Sequence, residues 1–231
     1  MSNKENQHEQ HDQLENVHEA LTRTELFFEK NKNKLFIALV AGIAIVAGYL
    51  GFQHGYMVPK EKEASAAMFR AQHYFEADSF KLALNGNAEF QGFEDIINNY
   101  GITKSANLAT AYAGISYMKL GDYENAIKYL KDFDVNDQLV SYVVVGAIGD
   151  CYVQLNDVKE GIKHFEKAAD KANNDLISPL YLKKAGLAFE SLNDFASAQK
   201  MYEKIQNDYP NSAEAMDISK YIERAKLSIK K

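Results

Sequence analysis

Six histidines and one cysteine are the residues with which this 231-residue chain would hold a metal or carry a nucleophile. Their spacing argues against both. His8, His11 and His18 fall in a polar segment with no cysteine or tight carboxylate group beside them, the pattern of a solvated tail rather than a ligand set. His54, His73 and His164 lie far apart, and His164 sits next to Phe165 in a stretch of helical period. Cys151 has no second cysteine to pair with, so the fold needs no oxidising compartment and tolerates one. It reads as a small, buried helix residue. Carboxylates alternate with lysines, as in KEGIKHFEKAADKA over 159–172, which is a solvated helix face. No Walker loop, G-x-G-x-x-G, H-E-x-x-H or G-x-S-x-G occurs. The expectation is a chain that is not an enzyme and takes no metal, cofactor or small-molecule substrate.

The elements around these residues fall into three zones. A hydrophobic share of 46% and a charged share of 25% are those of a folded protein, and a net charge of −6 argues against nucleic acid. Residues 1–33 are a polar tail in which Leu14, Val17, Leu21 and Phe28 mark a short amphipathic stretch. From Leu35 to Phe52 the chain reads LFIALVAGIAIVAGYLGF without a charge, and no charge falls between Lys34 and Lys60. About 20 such residues cross a hydrocarbon core of about 30 Å, so 34–58 is expected to be a single transmembrane helix. The long preceding tail and the lack of an A-x-A site make it an uncleaved anchor rather than a signal peptide. Lys30, Lys32 and Lys34 stand closer to the span than Lys60 and Lys62, which places the N-terminus in the cytoplasm. Ala44, Gly48, Gly51 and Gly55 keep small side chains at spacings of three and four, suited to helix packing within the membrane.

The third zone, 60–231, repeats itself. GISYMKLGDYENAIKYL from Gly114, GDCYVQLNDVKEGIKHF from Gly149 and GLAFESLNDFASAQKMY from Gly186 share a glycine and an aromatic three residues on (Tyr117, Tyr152, Phe189). They also share a turn residue seven on (Gly121, Asn156, Asn193), a small residue twelve on (Ala126, Gly161, Ala198) and a bulky one sixteen on (Leu130, Phe165, Tyr202). This spacing resembles the tetratricopeptide repeat of helix-turn-helix units, although the tryptophan place holds Thr110, Val145 and Leu182. The resemblance implies an all-α fold: a right-handed solenoid after the membrane helix, closed by a C-terminal capping helix. Repeats are expected at about 64–106, 107–141, 142–178 and 179–212, with the cap over 212–229. The first is the loosest: FEDIINNYGITKSANLA from Phe93 parallels YEKIQNDYPNSAEAMD from Tyr202, and LALNGN around Gly86 is expected to form a widened loop. Ser178 before Pro179 reads as an N-cap, and Asn211 with Glu214 has capping-box spacing.

In tetratricopeptide arrays the first helix of each unit lines a concave, protein-binding side. Carried onto this chain, that face holds Met68, Phe75, Leu108, Ile115, Met118 and Lys119 from the first two units. Val143, Asp150, Val153, Gln154, Lys183 and Leu187 continue it. The order of parts, with Phe27-Phe28 just ahead of the anchor, resembles the YfgM-like family, bitopic inner-membrane proteins similar to an ancillary subunit of the SecYEG translocon. That resemblance implies a periplasmic scaffold whose partners are translocon subunits, a membrane-anchored periplasmic chaperone and unfolded, newly translocated clients. A scaffold for cell-envelope assembly or division is the alternative, and an enzyme with a site across the concave face comes behind both.

Overall fold

The computed structural model describes residues 29–134 and 138–230. The expected amphipathic stretch, the Phe27-Phe28 pair and the three N-terminal histidines lie outside the described residues. Contacts divide the chain between Pro59 and Lys60 into two units.

The first unit is helical from residue 29. In α1 (residues 29–52) no side chain is buried: Phe36 is 65% exposed and Ile45 72%. With its continuation the helix runs Glu29–Glu76, and by length and composition its apolar stretch can cross a membrane. The helix does not keep α geometry throughout. Gln53–Met57 is a π turn in which the Val58 N–H donates to the Gln53 carbonyl. Pro59 gives the reason: it has no N–H, and its ring crowds the carbonyl four residues back, at Gly55. Widening one turn relieves that crowding without ending the helix.

The second unit is a run of helices. They are α2 (Val58–Glu76), α3 (Phe80–Asn85), α4 (Phe93–Tyr100), α5 (Lys104–Leu120), α6 (Tyr123–Asp132) and α7 (Gln138–Gln154). There follow α8 (Val158–Ala172), α9 (Ser178–Ser191), α10 (Phe195–Asp208), a 3-10 turn Glu214–Asp217 and α11 (Ile218–Ile229). Each from α3 onward packs on the next. The three central hairpins turn by one device. Gly121, Asn156 and Asn193 take left-handed φ of 81°, 62° and 60° and end the first helix. The next residue in each, Asp122, Asp157 or Asp194, then accepts the backbone N–H of Asn125, Glu160 or Ser197 and starts the second.

Close approach of the paired helices explains the small residues. A Cβ on Gly149 would stand 2.8 Å from the Phe165 ring, and one on Gly186 would overlap Tyr202. The bulky residue sixteen on therefore fills the space that its own glycine leaves. The parallel between the Phe93 and Tyr202 segments extends to side-chain detail. Phe93 and Tyr202 are fully buried, as are Ile96 and Ile205. Thr103 donates to the Tyr100 carbonyl and accepts the Ala106 N–H, while Ser212 does the same with Tyr209 and Ala215.

Four local expectations are corrected. LALNGN is no loop: Phe80–Asn85 is helical, Ala83 and Leu84 point into the core, and Gly86 turns the chain at φ 65° toward an Asn87–Phe90 bridge. Its apolar pair has core to bury, which a loop would leave in water. Ser178 is buried inside α9 instead of capping it; its hydroxyl donates to the Ala169 carbonyl in the last turn of α8, which also accepts the Asn173 N–H, and accepts the Asn174 N–H. Ser212, not Asn211, holds the start of the next turn. The last helix starts at Ile218, so Met216 stays 88% exposed while Ile222 and Ala225 close the stack.

The entry to the second unit is tied at both polarities. Lys60 donates to the Asn99 carbonyl at the end of α4 (3.0 Å), and Glu61 accepts the Lys104 and Ser105 N–H groups at the start of α5 (2.8 and 3.2 Å). A cation on a helix C-terminus and an anion on an N-terminus both oppose the helix dipole favourably.

Candidate protein-binding surface

The first helices of the repeats, α2, α5, α7 and α9, carry the residues expected to bind. Met68 is only 4% exposed and belongs to the core with Ala71 and Phe93, so it presents nothing to a partner. Phe75 is half-buried, its ring edge-on to Phe80, Phe93 and Tyr112. Leu108, Ile115, Met118 and Val153 are half-buried against the inter-repeat core. Val143 and Leu187 stand out at 42% and 43%, with Lys119 and Gln154 exposed near the ends of α5 and α7. In the first unit of the chain, Gly48, Gly51 and Gly55 face open space.

Repeat register brings in a residue the sequence reading left out. Leu108, Val143 and Leu180 share one position across α5, α7 and α9, at the same offsets of 35 and 37 as the glycines. Leu180 is 38% exposed, and the Tyr181 hydroxyl beside it lies 3.5 Å from the Val143 carbonyl, so the two helices meet there. Extending those offsets to every position of the first helix would have found it. Along α9 the outward stripe reads Leu180, Lys183, Lys184, Leu187.

The polar members are held in pairs that step across one repeat. Lys184 donates to both Asp150 oxygens at 2.8 and 2.7 Å and lies over the Phe165 and Tyr181 rings. Lys183 reaches Asp217 at 2.9 Å, and Arg224 grips Glu190 with two nitrogens. Behind them the chemistry is inert. Burial, with Asp150 adding to it, pushes the Cys151 thiol up to about 12, far from a reactive thiolate. Burial likewise pushes the Tyr181 phenol up to about 12. Tyr117 and Tyr129 both donate to Glu94 and tie α4 to α5 and α6. Among the described residues no group of histidine, cysteine and carboxylate side chains could hold a metal ion.

Comparison with known proteins follows the same elements. Two tetratricopeptide-repeat family models match, one over 113–133 and 144–174, the other over 182–212. The crystal structure of the MamA protein is similar at 18% identity and a TM-score of 0.52, over 72% of this chain and 88% of that one. The nearly identical TPR-like repeats of a kinesin light chain from Podospora anserina are similar at 11% identity and a TM-score of 0.56, over 74% of this chain and 88% of theirs. No curated protein sequence matches the chain. Helical hairpins, glycine-to-aromatic packing and matched repeats together make the second unit a tetratricopeptide-type solenoid, the fold of a protein-interaction scaffold.

Proposed function

We propose that the chain is a single-pass inner-membrane protein whose first-helix face binds other proteins outside the cytoplasm. Its parts are a cytoplasmic tail over 1–33, a span over 34–58 and a periplasmic repeat domain over 60–231. Ala44, Gly48, Gly51 and Gly55 would let another spanning helix approach closely. The observation that supports the reading is the pairing, on one chain, of a helix with no buried apolar side chain and a repeat stack that presents Val143 and Leu180 outward. Lipid would cover the first and a polypeptide segment the second. The YfgM-like resemblance makes the site of action the SecYEG translocon, together with a membrane-anchored periplasmic chaperone and newly translocated proteins.

In-cell crosslinking from positions 143, 180 and 187, read by mass spectrometry, tests this. Adducts with translocon subunits, a periplasmic chaperone or nascent envelope proteins are expected. Adducts confined to peptidoglycan enzymes or lipoproteins would favour an envelope-assembly scaffold instead. A reporter placed after Lys231 that reads as cytoplasmic would reverse the topology and remove every periplasmic partner.

A further inference from the structure

The last first-helix stripe ends in a cluster of charge shared by α9, the 3-10 turn and α11. The Tyr221 ring, half-buried against the core, has three cations over it: Lys183 at 4.7 Å, Arg224 at 4.8 Å and Lys220 at 5.2 Å. Among the described residues two carboxylates pair with them. Asp217 is divided, one oxygen to Lys183 at 2.9 Å and the other to Lys220 at 2.8 Å, and Glu190 takes Arg224. Each ammonium has three donors and uses one on Asp217, so donor capacity remains on both. The balance is positive in a chain of net charge −6. Two of the three cations lie outermost: Lys220 and Arg224 side chains are 65% and 51% exposed, against 38% for Asp217, 22% for Lys183 and 15% for Glu190. Beneath Tyr221, with ring centroids 5.4 Å apart, the Tyr202 hydroxyl is fully buried next to the Glu190–Arg224 pair.

Leu180 and Leu187 lie one turn to either side of the Lys183–Lys184 pair on α9, and Val143 adjoins Leu180. We propose that this end of the face takes a polypeptide segment of one kind: large apolar side chains flanking an acidic residue, whose carboxylate sits at Lys183, Lys220 and Arg224. The inference rests on the first-helix face being a protein-binding surface, and adds to it the chemistry of what is bound. Apolar burial supplies affinity, and the excess positive charge supplies the choice among segments of equal hydrophobicity. A basic segment of the same shape is refused by like charge.

The full chain in detergent is titrated with a short fluorescent peptide of leucines and glutamates, and with twins carrying glutamine or lysine for glutamate. The glutamate peptide is expected to bind about tenfold more tightly than the glutamine twin, which is about 1.4 kcal/mol. The preference should shrink in high salt. Lys183→Gln with Lys220→Gln abolishes the preference, so that the glutamate peptide and its glutamine twin bind alike. Lys220→Gln alone, at an exposed side chain, weakens the glutamate peptide only. Leu180→Ser with Leu187→Ser weakens both peptides by the same factor. Equal affinity of the parent for both twins, or a preference that survives the double lysine change, overturns the proposal and leaves the binding face standing. Displacement of the glutamate peptide by phosphatidylglycerol vesicles assigns the cluster to lipid and overturns it too. Binding of no peptide, with no crosslinks from 143, 180 and 187 in cells, removes both readings.

Discussion

Gly186 has no side chain, and the Tyr202 ring occupies the volume that a Cβ there would need. A Gly186→Val change must displace that ring or separate α9 from α10. We expect a loss of about 1–3 kcal/mol, the usual cost of overpacking, read as a lower thermal midpoint by circular dichroism. Cys151 is fully buried, with its thiol pushed up to about 12. Alkylation at pH 8 should therefore be limited by opening of the fold, and labelling as fast as a free thiol would contradict this burial. Because Cys151 and Tyr181 keep their protons longer when folded than when unfolded, the unfolded chain binds fewer protons above about pH 8.5. Stability is thus retained below that pH and falls as pH rises toward 12, which alkaline melting curves check. The glycine-to-aromatic pairs were legible in the sequence because spacing alone specifies them. Ser178 and Asn211 were not, because capping is decided by which carbonyl or N–H lies nearby, and the string of letters does not show that.

At the scale of elements, α2 docks through its buried Ala64, Met68 and Ala71 and is tied at its start by two adjacent side chains, Lys60 and Glu61. Glu61→Gln keeps the shape but removes the charge that two N–H groups of α5 and the Ser105 hydroxyl address. About 1–2 kcal/mol should be lost, with amide exchange rising first in α2 and at the start of α5. Thr103→Ala and Ser212→Ala remove equivalent caps from opposite ends of the stack and should cost about 1 kcal/mol each, additively, in denaturant titrations. The helix pairs could be read from the repeat, down to the left-handed residues at the hairpin turns. The LALNGN segment misled because Asn85, Gly86 and Asn87 are turn formers, whereas Ala83 and Leu84 carry the decisive contact with the core. Leu180 and the Tyr221 cluster escaped a reading that weighed each motif singly. One follows from register and the other from three separate elements meeting.

At the scale of the molecule, the buried side chains do not sort by repeat. Phe165 of α8, Tyr181 of α9, Tyr202 of α10 and Ile222 of α11 share one continuous core, and the hairpins are seams across it rather than walls. Tyr202 and Ile205 reach complete burial only with Ile218 and Ile222 in the same core. A polypeptide still being made has no such lid until the Ile218–Ile229 helix has emerged. Up to that moment it carries an adhesive end, and any product cut short before Ile218 should be recognised by the proteases that remove unfinished proteins.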